Sequence, residues 1–186
     1  LMRALLIDNG SALIEKLTTL IPFETNVVSY DEIPESVEDY NLIVLSGSSL
    51  FSVEGHEREI AAEESLIRNS EKPIIGICLG HEIIVHAFDG KITPLGKHSG
   101  MCEISVTKAL PMFQGRDNFI VYEYHQFGVK ELPTELEELA HSDHAIAVLK
   151  HRTKPIYGFQ FHPEHNTDKQ FGDEIFLSLV NELVKQ

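Results

Sequence analysis

The sequence spans 186 residues with 42% hydrophobic, 24% charged and 8% aromatic content, and 29 acidic against 15 basic side chains give a formal net charge of -14. That size and balance describe one globular domain over residues 1–186 with a sizeable core, and the acidity argues against a nucleic-acid backbone as the main partner. No apolar run is long enough for a membrane span, and two cysteines without a C-x-x-C pair point to free thiols in a reducing compartment; no membrane association and a cytoplasmic location are expected.

The opening "LMRALLIDNG" enters a strand directly and does not read as a signal peptide. "RALLID" (Arg3–Asp8) is a buried strand, Asn9-Gly10-Ser11 a turn and cap, and 11–20 carries helical spacing of apolar residues. Strands follow at 25–30 and 41–47, a polar-faced helix at 56–69, the strand "KPIIGIC" at 72–78 and the helix "GHEIIVHAF" at 80–88. Continuous apolar strands separated by helices predict an α/β fold, a doubly wound, mostly parallel sheet with helices on both faces. Beyond residue 90 the character changes. Short runs at 91–95, 101–110, 118–133, 135–143 and 145–162, broken by Pro, Gly and Asp, predict an antiparallel ribbon that returns to the sheet edge. An amphipathic helix over 168–186 closes the chain.

Ligands of open parallel sheets sit beyond the carboxyl ends of the strands. Three chemically loaded segments fall at such ends: Ser46-Gly47-Ser48-Ser49, Cys78 and His162. In "GICLG" the glycines at 76 and 80 bracket Cys78 as G-x-S-x-G brackets the serine of a nucleophile elbow, where a strained turn brings backbones close together. The N-terminus of the following helix favours thiolate over thiol. A cysteine nucleophile needs a base, and the base an orienting group. "FQFHPEHN" supplies both: Pro163 favours extended geometry at His162, and residues two apart on an extended strand share a side, so Glu164 can fix the His162 tautomer. The amides of Leu79 and of the Gly47-Ser48 loop are candidate oxyanion donors.

"LSGSS", "GICLGHE" and "FHPE", in this order and spacing, resemble the class I, triad-type glutamine amidotransferases over nearly the whole chain. The resemblance implies a flavodoxin-like fold, L-glutamine as substrate and hydrolysis to glutamate and ammonia through a thioester at Cys78. It makes His162 the base and Glu164 its orienter, with Gly47, Ser48 and Leu79 around the oxyanion. It also implies transfer of ammonia to a separate ATP-dependent synthetase subunit, and no cofactor or metal. "AHSD", "KPIYGFQFHPE" and "FGDEIF" are most similar to the stand-alone glutaminase subunit of archaeal-type GMP synthetase, whose partner is of the ATP-pyrophosphatase type. "YEYHQFGVKELP" is about as similar to the glutaminase subunits of anthranilate and aminodeoxychorismate synthases. A free-standing γ-glutamyl amidohydrolase and a degenerate, non-catalytic subunit are the remaining alternatives.

Two departures from the family pattern bear on the chemistry. Where the family reads G-x-C-x-G-x-Q, this chain has Glu82, which as a carboxylate only accepts hydrogen bonds and would add negative charge near Cys78, opposing its ionisation. Where the family reads S-G-G-P-G, this chain has Ser46-Gly47-Ser48-Ser49-Leu50, so a positive φ at Ser48 would carry strain. Other features carry less. His81 and His86 are five apart and diverge on a helix, unlike a zinc-protease pair. His165 reads as a solvent-side residue near the site, Cys102 as a packed strand thiol, and 99–101 as a candidate wall of the glutamine pocket. His125 fits either a pocket mouth, a partner contact or a packed aromatic strand.

Overall fold

The computed structural model describes residues 1–165 and 167–185. In chain order the elements are β1 (Arg3–Asp8), α1 (Ile14–Leu20), β2 (Glu24–Ser29), β3 (Leu42–Leu45), α2 (Glu57–Asn69), β4 (Ile74–Ile77), α3 (Leu79–Ala87), β5 (Thr93–Val106), β6 (Asn118–Gly128), β7 (Leu136–His141), β8 (Ile146–His151), β9 (Ile156–Phe159) and α4 (Gly172–Val184). They build a nine-stranded sheet in the order β2-β1-β3-β4-β9-β8-β7-β5-β6. The first five strands of that order are parallel and the remaining four antiparallel. The parallel part has the flavodoxin-like order, and the ribbon of the C-terminal half extends it from β9 outward.

The uninterrupted apolar strands have a direct cause. Leu6 and Val44 face one hydrophobic cluster with Leu17 of α1 and Ile175, Phe176 and Leu179 of α4. Leu5, Ile7, Ile43 and Leu45 face the other, with Ile60 and Ile67 of α2 and Ile83 and Ile84 of α3. A strand covered on both faces gains from apolar residues at every position, so the period of two disappears. Several elements differ from the sequence reading. Helix α1 starts at Ile14 because Ser11 is used in the turn: Asp8 Oδ1 accepts from the amides of Gly10 (2.8 Å) and Ser11 (3.1 Å), and Ser11 Oγ accepts from Leu13 (3.0 Å). The connection between β2 and β3 contains no helix, so those neighbours of β1 are joined by an irregular segment. Helix α4 begins at Gly172, and Gln186 of the expected closing helix lies outside the described residues. Among the described residues no helix is long and apolar enough to cross a membrane.

Candidate active site

The β4–α3 junction is built by its glycines. A Cβ on Gly76 would lie 2.4 Å from the Gly80 carbonyl oxygen, and one on Gly80 would lie 2.4 Å from the Leu45 carbonyl oxygen. Strand, helix and neighbouring strand therefore touch backbone to backbone. Cys78 sits between them at φ 52°, ψ -101°, a conformation costly for a residue with a Cβ. Its amide is anchored to the Phe159 carbonyl at 2.7 Å, and its side chain lies at the first turn of α3.

Beyond β9 the chain returns over the same spot. His162 Nδ1 is 2.5 Å from Glu164 Oε1, and both side chains are buried. A Cβ on Gly47 would come within 3.1 Å of His162 Cε1 and 3.4 Å of Cys78 Cβ, so the loop after β3 closes the third side. The Tyr124 carbonyl closes a fourth, accepting from the Cys78 thiol at 3.6 Å and lying 3.4 Å from His162 Nε2. Burial pushes the Cys78 thiol up, and the His162 imidazolium pulls against that rise. Burial disfavours charge on His162 too, but the Cys78 thiolate and the Glu164 carboxylate outweigh it and hold the imidazole well above its ordinary value. Charge on either partner favours charge on the other, so the two titrate as a coupled pair.

Three backbone amides beside Cys78 and His162 lack a backbone acceptor among the described residues. Leu79 opens α3, so its N–H is one of those with no intrahelical acceptor. Ser46 N–H donates to Ile7 and Ser49 N–H to Gly10, while the Gly47 and Ser48 amides between them have no backbone acceptor among the described residues. Ser48 is not among the residues with positive φ, so the expected strain is absent. Its Oγ instead accepts from the amides of Leu50 (2.9 Å) and Phe51 (3.1 Å), closing the loop as a serine turn. Sequence reasoning missed the brace beneath it. Asn9 Nδ2 donates to the Ser46 carbonyl (3.1 Å) and to Glu63 Oε1 (2.8 Å), while Ser46 Oγ accepts from the Asn9 amide (2.8 Å). Burial raises Glu63 to about 8, so its carboxyl is largely neutral at neutral pH.

Glu82 lies one turn into α3, almost fully buried, and accepts from Gln160 Nε2 at 3.2 Å. Burial raises its pKa to about 8, against smaller lowering by Gln160 and His162. A protonated carboxyl both donates and accepts from a planar head, as an amide does, though with one donor hydrogen where the amide has two. The expected extra negative charge beside Cys78 is thus largely absent at neutral pH. For both buried carboxyls the folded protein holds a proton that the unfolded chain releases above about 4.5. The associated stability is present below that pH and is lost as pH rises through about 8. Glu82→Gln is expected to flatten that loss: thermal midpoints scanned from about pH 5 to about pH 9 should fall less steeply in the variant. Parallel curves would mean that Glu82 is ionised in the fold.

A cavity of about 640 Å³ opens onto these residues, lined by Ser48, Cys78, Glu82, Tyr122, Tyr124 and His162 among others. His165 also lines it, partly buried and stacked on Tyr122 with ring centroids 3.5 Å apart, not turned to solvent. Residues 99–101 do not line it; they line a separate cavity, because β6 lies outside β5 in the sheet and supplies this wall with Tyr122 and Tyr124. His81 points into the core while His86 Nδ1 binds Glu64 Oε2 at 2.8 Å, so the two histidines do diverge. His125 is buried and lines the cavity, and Cys102 is half-buried against the core.

The family Glutamine amidotransferase class-I matches residues 5–181. The glutamine-hydrolyzing GMP synthase subunit of Methanocaldococcus jannaschii is 31% identical over 180 residues, covering 91% of this chain and 92% of the relative. The same subunit from Methanosphaera stadtmanae is 37% identical over 161 residues, 85% of this chain and 80% of the relative. Among solved structures, a glutamine amidotransferase from Thermotoga maritima superposes with a TM-score of 0.82 at 16% identity, covering 100% of this chain and 99% of the other.

Proposed function

Since the chain belongs to the class I glutamine amidotransferase family, we propose that Cys78, His162 and Glu164 hydrolyse L-glutamine here and that the ammonia passes to a separate synthetase subunit. The observation that carries this reading is the strained Cys78, set between the His162–Glu164 pair and the amides of Leu79, Gly47 and Ser48.

The thiolate attacks the side-chain amide carbon of glutamine, and the carbonyl oxygen becomes an oxyanion. The N–H groups of Leu79 and of the Gly47-Ser48 loop donate to it, a contribution of about 3 kcal/mol per well-placed donor. The His162 imidazolium gives its proton to the departing nitrogen, and ammonia leaves a thioester on Cys78. Neutral His162 then takes a proton from water, the resulting hydroxide attacks the thioester, and glutamate leaves with Cys78 restored. Glu164 keeps the tautomer that presents Nε2 to the thiol. Neutral Glu82 takes the place of the family's glutamine.

The similarity to glutamine-hydrolyzing GMP synthase subunits supports a partner that carries the synthetase chemistry, of the ATP-pyrophosphatase type. Two free thiols support a reducing compartment, the cytoplasm, and one continuous sheet supports reading 1–186 as a single domain. The test is glutamate release from L-glutamine, run beside labelling with a γ-diazoketone analogue of glutamine. Turnover, or a stoichiometric adduct that peptide mapping puts on Cys78, is the expected result. No turnover and no adduct on Cys78, with or without an ATP-pyrophosphatase subunit, would overturn the assignment.

A further inference from the structure

Behind the strand that carries the Tyr124 carbonyl, a second set of side chains converges. In the β5–β6 register His98 lies opposite His125, Gly100 opposite Glu123 and Cys102 opposite Val121. Gly100, at φ 122°, puts no side chain opposite Glu123, and even a Cβ there would meet nothing within 4 Å. The turn after β7 brings Asp143 and His144 over the opening. Cys102 Sγ, a carboxylate oxygen of Glu123 and a ring nitrogen of His144 then lie within 4.8 Å of one another. They share a cavity of about 610 Å³ that is distinct from the one at Cys78.

The hydrogen bonds within the group turn two ring nitrogens toward one carboxylate oxygen. His144 Nδ1 lies 2.9 Å from Asp143 Oδ1 and His125 Nδ1 lies 2.7 Å from the Phe127 carbonyl, so each ring donates through Nδ1. That leaves both Nε2 atoms free for a second partner. Both point at the same oxygen: Glu123 Oε2 is 2.9 Å from His144 Nε2 and 3.0 Å from His125 Nε2. The ring of His98 stacks on His144 at 3.9 Å and on His125 at 5.5 Å and closes one side of the group. A metal ion placed among Cys102, Glu123 and His144 would engage a sulfur, an oxygen and a nitrogen donor at once.

We propose that this cluster is a binding site for a divalent transition metal of the zinc type, held by Cys102 Sγ, the Glu123 carboxylate and His144 Nε2, with His125 Nε2 the nearest candidate for the fourth position. Sulfur, nitrogen and oxygen donors in one set suit zinc or cobalt better than magnesium or calcium. Asp143 supplies the carboxylate that orients a ligating histidine through its other ring nitrogen. Ligands of a tetrahedral zinc site sit about 3–4 Å apart, so donors already within 4.8 Å need only small rotamer changes. On binding, the Cys102 thiol gives its proton to solvent as the sulfur–metal bond forms, with no change in oxidation state. The ion would tie β5, β6 and the turn after β7 together directly behind Tyr124. Sequence reading expected no metal because the ligands come from three separate elements and form no local spacing pattern.

The test is a Co²⁺ titration of the full-length protein after chelator treatment, with Zn²⁺ competition. One equivalent bound, with a sulfur-to-cobalt charge-transfer band in the near ultraviolet, is expected. Cys102→Ser should abolish the band and His144→Ala should weaken binding by about 10–100-fold, while Cys78→Ala keeps both. Zn²⁺ should also raise the thermal midpoint of the unmodified protein. If Cys102→Ser fails to fold, the His144→Ala titration decides alone, since that side chain sits on a surface turn. No cobalt binding by the unmodified protein, affinity unchanged in His144→Ala, or a band that survives Cys102→Ser and disappears in Cys78→Ala, would overturn the proposal.

Discussion

Replacing Cys78 with glycine is expected to abolish glutamine turnover, by about 10⁴-fold or more, and yet to leave a fold more stable than that of Cys78→Ala. The activity loss follows from removing the thiol proposed to form the thioester. The stability order follows from φ 52° and ψ -101°, where a Cβ is strained and glycine is not. Glycine normally loses to alanine because its unfolded chain has more freedom, an effect of about 0.4–1 kcal/mol. A strained non-glycine backbone costs about 1–3 kcal/mol. The second effect is the larger, so Cys78→Gly should exceed Cys78→Ala by about 1 kcal/mol in urea denaturation. The reverse order would mean that the elbow is relaxed and that the conformation costs nothing.

Gly80→Ala is expected to damage both stability and catalysis. A Cβ at this position would lie 2.4 Å from the Leu45 carbonyl oxygen and 2.8 Å from Leu45 Cβ. The obstacle is backbone of a central strand, which cannot rotate away as a side chain would. Relief requires α3 to move off β3, and overpacking of that kind costs about 3 kcal/mol. For a chain of this length that corresponds to a fall of roughly 6–12 °C in the thermal midpoint. The same displacement moves the Leu79 amide relative to the Gly47-Ser48 loop, so kcat should fall with KM little changed. A variant as stable and active as the parent would show that the helix is not held against β3 by this contact.

The parts of this molecule that are legible in the sequence are those encoded locally. Gly76, Cys78 and Gly80 fall within one short stretch, and His162 and Glu164 within another, so each half of the proposed triad can be read from its own segment. The uninterrupted apolar runs at Leu5–Leu6 and Ile43–Val44 likewise carry their two-sided burial on their face. What the sequence hides depends on residues far apart in the chain. Gln160 meets Glu82, and Asn9 meets Ser46 and Glu63, only because separate strands end at one level. The charge state of Glu82 is hidden for the same reason: sequence gives a carboxyl group, while burial decides whether it keeps its proton. Residues 99–101 face the other cavity, and spacing along the chain cannot say which of two adjacent strands faces a site.

β6 is the last strand of the sheet, paired along one side with β5. Its other side is held by few bonds, among them His162 N–H to the Tyr122 carbonyl and Phe171 N–H to the Ile120 carbonyl, both at 2.8 Å. Edge segments of this kind open and reclose at a free-energy cost well below that of global unfolding. An opening of this kind would withdraw the Tyr124 carbonyl from the Cys78 thiol and break the bond from the His162 amide, while Cys78 and His162 stay attached to the central strands β4 and β9. Hydrogen exchange at the His162 amide would time how often the wall over the proposed nucleophile is open.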